Sequence, residues 1–242
     1  MKKITTKKLK SAKERKLVLF DIDGTLIRSK KPVGHFDHAF KKVLGKEIII
    51  DWSIVPGNID RKIILELGKK IGLDELFIRS RFDQIYNVMC DYYIKKVTIS
   101  NVDDYYELLN EAIHLVTHLS NQVHLGLLTG NFRPIAKYKM SLIKLNQHFE
   151  FGLYGNEAEN RIELAKQTFS RARDFFGIDF TPEQIVVIGD TPQDVSCGLN
   201  IQANTIAVAT GRHSHAQLMA TKADLVVQNL ADARVLPFIL KS

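Results

Sequence analysis

Five short apolar runs stand out along the chain: Lys16 to Phe20, Val123 to Leu128, Gln184 to Ile188, Thr205 to Ala209 and Leu225 to Val227. They are too short and too uniformly apolar for amphipathic helices, and they predict strands buried on both faces. Between them the stretches Pro134 to Leu145, Arg161 to Phe176, Val195 to Leu199 and Ser214 to Thr221 carry a helical period. Strands alternating with helices predict a parallel sheet with right-handed crossovers, hence an α/β doubly wound, Rossmann-like domain. Ligands of such sheets gather outside the carboxyl ends of the strands.

Residues 30–115 break the alternation. The pattern there is mainly helical, over Phe36 to Leu44, Asp60 to Ile71, Leu73 to Lys96 with a break, and Asp103 to His118, with one short strand-like run at Glu47 to Ile50. One strand precedes this block and the rest of the sheet follows it. The expected organisation is therefore a core of residues 16–29 and 116–242, an inserted helical cap of residues 30–115 with linkers near Ser29 and Ser100 to Val102, and a basic tail of residues 1–15.

Charge changes the picture only at that tail. The chain has 34 Lys and Arg against 27 Asp and Glu, a formal +7. Residues 1–16 hold eight of the basic residues and one of the acidic ones, which leaves 26 of each elsewhere. The body is formally neutral, so neither nucleic acid nor a membrane surface is expected as a partner, and the tail reads as solvated and disordered. The tail has no apolar segment of the secretory kind, and no stretch approaches a membrane span. Cys90 and Cys197 lie far apart and do not suggest a disulfide framework. A cytoplasmic protein is expected.

The candidate chemistry sits at the strand ends. Asp21 and Asp23 follow the first run, and in an extended chain residues i and i+2 point to the same side. Two such carboxylates repel unless one is protonated or a cation lies between them. Hard oxygen ligands with a tight turn at Gly24 suggest Mg²⁺. The second run leads into Thr129, Gly130 and Asn131, where a hydroxyl and backbone N–H groups can cradle a phosphate or simply end a strand in a turn. The third leads into Gly189, Asp190, Thr191, Pro192, Gln193 and Asp194. Asp194 also fits the third position of a helix whose N-cap is Thr191, so a capping role competes with a site role; Asp190 has no such alternative.

Together, D-I-D-G-T, L-L-T-G-N and G-D-T-P-Q-D resemble motifs I, II and IV of the haloacid dehalogenase-like (HAD) superfamily, in the same order, from about Lys16 to the end of the chain. The resemblance implies a Mg²⁺-dependent phosphohydrolase. Asp21 would be the nucleophile that forms an aspartyl-phosphate, and Asp23 the acid and then the base. Asp21, Asp190, the backbone carbonyl of Asp23, and Asp194 directly or through water would hold Mg²⁺. Thr129 would bind the transferring phosphoryl group, with the N–H groups of Gly130 and Asn131 close by. Dehalogenases of this superfamily lack the second aspartate and phosphonatases replace it with alanine, so Asp23 implies phosphate esters.

The motif III cation is expected to be Arg161, with Lys166 as the alternative. The segment Pro56 to Asp60 resembles a G-x-T-D loop of small helical-cap relatives such as phosphoglycolate phosphatase-like enzymes, with Ile59 in place of the threonine. Asn58 and Asp60 are accordingly candidate substrate-binding residues, or else simple N-caps of the next helix. His114 with His118, and His213 with His215, have metal-like spacings but no third ligand. Trp52 is read as a packing residue or a wall of the entrance. The expected substrate is a small phosphorylated metabolite. A phosphomutase, or a non-catalytic HAD-fold binding protein, is the alternative, and the sequence gives no oligomeric state.

Overall fold

The computed structural model describes residues 15–241. The basic tail, apart from Arg15, lies outside them. Six parallel strands form one sheet: β1 (Leu17–Phe20), β4 (His124–Thr129), β5 (Phe151–Tyr154), β6 (Ile185–Gly189), β7 (Asn204–Val208) and β8 (Leu225–Val227), in the spatial order β5-β4-β1-β6-β7-β8. The first strand is therefore central. The chain builds outward on one side through β4 and β5, then returns and builds outward on the other, so the switch point lies beside β1.

Alternate side chains explain why the strand runs are apolar throughout. Val18 and Phe20 of β1, like Val186 and Ile188 of β6, enter the larger core, whereas Leu17, Leu19, Ile185 and Val187 enter a second core on the opposite face. The first core also holds residues of α6 (Asn110–Leu119), α7 (Arg133–Leu142) and α12 (Val235–Leu240). The second holds residues of α8 (Arg161–Lys166), α9 (Thr168–Phe176) and α10 (Pro192–Asn200). Helix α11 (His215–Met219) packs against β7 and β8. This is the doubly wound α/β architecture read from the alternation.

After β1 the chain forms β2 (Ile27–Ser29), which pairs antiparallel with β3 (Tyr106–Leu108) in a two-stranded ribbon. Between these strands lie α1 (His35–Ala39), a π-helical turn (Phe40–Leu44), α2 (Asp60–Lys70), α3 (Glu75–Ser80), α4 (Phe82–Lys96) and α5 (Val102–Tyr105). Their apolar faces, including Phe40, Ile63, Phe82 and Tyr93, join the larger core.

The structure departs from the sequence expectations in several places. The strand expected over Glu47 to Ile50 is irregular and joins neither sheet, and Ile49 is 94% exposed. The helix expected over Asp103 to His118 is interrupted by β3, because pairing with β2 overrides local helical preference. The helix expected over Arg161 to Phe176 is divided at Gln167 into α8 and α9. Finally, β5 was not anticipated.

Candidate active site

The sheet's register assembles the site. Phe20 is level with Leu127 of β4 on one side and Ile188 of β6 on the other. The residues just beyond these positions therefore meet at one edge, and the N–H of Asp21 donates to the carbonyl of Ile188 at 2.9 Å. Asp21, Asp190 and Asp194 are all buried, and each offers a carboxylate oxygen within 4.8 Å of the others. Among the described residues this is the one cluster of at least three metal-ligating side chains.

Arg161 binds this cluster together. It begins α8, whose N-cap Asn160 accepts the N–H of Glu163. Its Nη2 donates to Asp194 Oδ1 at 2.5 Å and to the carbonyl of Leu128 at 3.1 Å, and lies 2.9 Å from Asp21 Oδ1 in an ion pair. Lys166, the alternative, is exposed. Asp194 completes the helix cap and also lies in the acidic cluster: Oδ1 faces Arg161, while Oδ2 accepts the N–H and hydroxyl of Thr191 in a capping box.

The electrostatics are those of an under-neutralised cluster. Burial, with Asp194 and Asp23 adding and Arg161 opposing, pushes the Asp21 carboxyl up to about 6. Burial, then Asp194 and Asp21, raises Asp190 well above the usual range. Burial works against the charge of Arg161, but Asp194 and Asp21 outweigh it and hold the guanidinium above its ordinary value. Three carboxylates against one guanidinium leave two negative charges in a buried place, which a divalent cation would balance. The backbone is shaped around these oxygens. A Cβ at Gly24, whose φ is +91°, would stand 2.3 Å from Asp190 Oδ2, and one at Gly211 would stand 1.7 Å from it. The donor set thus fits a hard divalent cation.

Asp23 makes its bonds outside the cluster, to a residue that the sequence reading missed. Lys139 donates to both Asp23 oxygens, at 2.8 and 2.6 Å, and to Asn131 Oδ1 at 2.8 Å. Burial would raise the Asp23 carboxyl, but Lys139 overcomes this and lowers it; Asp23 in turn raises Lys139 against the effect of burial. The overlooked signal was its position: Lys139 shares the buried face of α7 with Ile135, Ala136 and Met140. Asn131 contributes chiefly through its side chain, which donates to Asp23 Oδ2 at 2.7 Å and to Thr129 Oγ1 at 2.9 Å. Its N–H also turns to Thr129 Oγ1, at 3.3 Å.

A cavity of about 350 Å³ opens over these groups. Its lining includes His35, Trp52, Asn58, Asp60, Tyr93 and Tyr106. Burial, then Lys139, pushes His35 down to about 3, and its Nδ1 has no partner. The hydroxyls of Tyr93 and Tyr106 bond each other. Trp52 is 41% exposed and lies under the guanidinium of Arg212. Neither Asn58 nor Asp60 is an N-cap. The cap of α2 is Ile59, with no side-chain bond; the Asn58 amide donates to Ile54 O, and Asp60 accepts the N–H of Phe132. Burial pushes Asp60 up to about 7. His114 and His118 lie exposed on α6.

A parallel doubly wound sheet with an acidic cluster at its switch point, and a helical insertion after the first strand, defines a class of hydrolase. The model of the haloacid dehalogenase-like hydrolase family matches residues 18–208, and the chain belongs to that family as an enzyme. Pyrophosphatase PpaX of Bacillus cereus is 24% identical over 219 residues, covering 89% of this chain and 93% of its own. Two solved structures share the fold. The β-phosphoglucomutase of Clostridium difficile has a TM-score of 0.63 at 19% identity, covering 90% of this chain and 93% of its own. CbbY of Rhodobacter sphaeroides, solved with phosphate, has a TM-score of 0.66 at 14% identity, with coverage of 90% and 96%. No helix among the described residues is long and apolar enough to cross a membrane.

Proposed function

We propose that this enzyme is a Mg²⁺-dependent phosphatase that hydrolyses a small organic phosphate monoester through an aspartyl-phosphate on Asp21. The observation that carries the reading is the convergence of Asp21, Asp190 and Asp194 at one sheet edge, with Arg161 paired to Asp21 and Asp194. A carboxylate oxygen of Asp21 attacks phosphorus while the bond from phosphorus to the leaving oxygen breaks, and Asp23 gives that oxygen its proton. Asp23 then takes a proton from water as the water oxygen attacks the same phosphorus, which frees phosphate and restores Asp21. Arg161 holds Asp21 in place and keeps positive charge beside the transferring group, toward which the Thr129 hydroxyl donates. Asp21, Asp190, the carbonyl of Asp23, and Asp194 directly or through water would hold Mg²⁺, which when bound would neutralise charge on the phosphoryl oxygens.

Residues 30–115 act in this reading as a cap, with Asn58 and Asp60 on its side of the cavity. A space of about 350 Å³ suits a small phosphorylated metabolite better than a protein segment. A cytoplasmic setting belongs to the same reading, supported by two buried free cysteines. Inorganic pyrophosphate is the second substrate to consider. Relatives such as the Bacillus cereus protein are named pyrophosphatases, and a Lys139 that occupies both oxygens of Asp23 favours leaving groups that need little protonation. The test is a panel of 4-nitrophenyl phosphate, phosphorylated metabolites and pyrophosphate, assayed with Mg²⁺ and with chelator. Metal-dependent phosphate release that is lost in Asp21→Asn supports the reading. No release from any member, or full activity in Asp21→Asn, contradicts it.

A further inference from the structure

Asp60 lines the cavity with little of its surface exposed. It is 7% exposed, and a carboxylate turned toward a phosphate ester repels it. Its bonds run elsewhere. The Asp60 N–H donates to the carbonyl of Gly130 at 2.8 Å, and Asp60 Oδ2 accepts the N–H of Phe132 at 2.8 Å. One residue of the helical block thus grips the phosphate loop on both sides of Asn131.

The backbones are in contact as well. A Cβ at Gly130 would stand 2.1 Å from the carbonyl oxygen of Asn58, and one at Gly155 would stand 1.9 Å from that of Gly130. The Asn131 carbonyl accepts the N–H of Gly155 at 2.9 Å. With its main chain tied at these points, the loop presents the Asn131 side chain to Asp23 and Thr129. A buried carboxylate is a costly acceptor for one amide, since a neutral group could serve. Burial accordingly pushes Asp60 toward its neutral form, whose carbonyl oxygen still accepts the N–H of Phe132, the N-cap residue of the ten-residue helix α7.

We propose that Asp60 is a positioning residue that seats the start of α2 against the start of α7, so that the Thr129–Asn131 loop takes its working shape only when the helical block is docked. The inference rests on the reading of that loop as the phosphoryl-binding loop.

The test compares full-length wild type, Asp60→Ala and Asp60→Asn by steady-state kinetics on one active phosphate ester, by thermal melting, and by amide hydrogen exchange over residues 129–133 without substrate. In Asp60→Ala, kcat should fall about 10²-fold, as expected when a reacting assembly is misplaced. Exchange at the Phe132 amide should accelerate at least about 10-fold, the signature of a local opening. Asp60→Asn keeps an acceptor of the same shape, so it should recover most of kcat and retain protection. A folded Asp60→Ala with normal kcat overturns the proposal. So does an Asp60→Asn that has lost about 10²-fold in kcat with Phe132 still protected, which would place the charge in the chemistry instead. That second outcome can be read even if Asp60→Ala does not fold. A wild type with no phosphatase activity, but with exchange accelerated in Asp60→Ala, would refute the functional reading and leave the tether standing.

Discussion

Replacing Arg161 by alanine removes the one guanidinium that touches both Asp21 and Asp194. Three buried carboxylates within 4.8 Å of one another then lack that counter-charge. Removing one partner of a buried ion pair typically costs about 3–5 kcal/mol. For a chain of this size about 1 kcal/mol corresponds to 2–4 °C, so the melting temperature should fall by roughly 6–20 °C in chelator at pH 8. The sign of the pH dependence follows from the raised carboxyls. Asp21, already pushed up to about 6 mainly by burial, loses the cation that opposes this. A carboxyl with a raised folded-state value stabilises the fold at low pH, and that contribution is lost as pH rises through the folded value. Without Arg161 the carboxyls can protonate at pH 5, so the loss there should be much smaller. Differential scanning calorimetry of wild type and Arg161→Ala at both pH values measures this. Turnover should drop about 10²-fold or more, since a pre-positioned charge at the reacting group is lost. Arg161→Lys should recover part of it, and Lys166→Ala should change little. Equal melting shifts at both pH values, or a normal rate in Arg161→Ala, would refute the argument.

Other consequences follow from the same geometry. Gly24→Ala places a methyl 2.3 Å from Asp190 Oδ2 at a φ of +91°, so the Mg²⁺ concentration for half-maximal activity should rise about 10-fold or more; an unchanged titration would show that Asp190 can move without loss. Lys139→Met removes the cation that holds Asp23 down, so the acidic limb of the kcat–pH profile should move upward, and a limb that stays in place would disprove that coupling. Asp60, raised to about 7 mainly by burial, makes the fold lose stability as pH rises from about 4 to 7; in chelator that decline should be smaller in Asp60→Asn than in wild type, by up to a few kcal/mol in denaturant titrations.

The strands that place the site were legible because their apolar runs are buried on both faces and end in acids, as at Asp21 and Asp190. Strand β5 was not, since Phe151–Tyr154 is four residues of mixed character made a strand by pairing with β4. Nor was the β2–β3 ribbon, whose partners, such as Ile27 and Leu108, lie far apart in sequence. Glu47 to Ile50 shows the converse: β-prone residues that pair into neither sheet remain a loop. Asp21, Asp23, Asp190 and Arg161 could be found from spacing and resemblance. Lys139 was missed, because a lone lysine in a helix ordinarily reads as solvent-facing; its one signal was a helical spacing shared with the apolar Ile135, Ala136 and Met140, and the fold turns it toward Asp23. The two bonds of Asp60 depend on a loop and a helix that meet only in three dimensions.

The covalent step is the centre of this account, and rapid acid quench during turnover tests it most directly. The enzyme is mixed with Mg²⁺ and its best phosphate ester, quenched on the millisecond scale, digested and mapped by mass spectrometry. The account predicts one acid-stable, base-labile phosphoryl adduct, on Asp21, formed before phosphate is released and absent in Asp21→Asn. An adduct confined to another residue, or steady turnover with no adduct at any quench time and undiminished activity in Asp21→Asn, would contradict it.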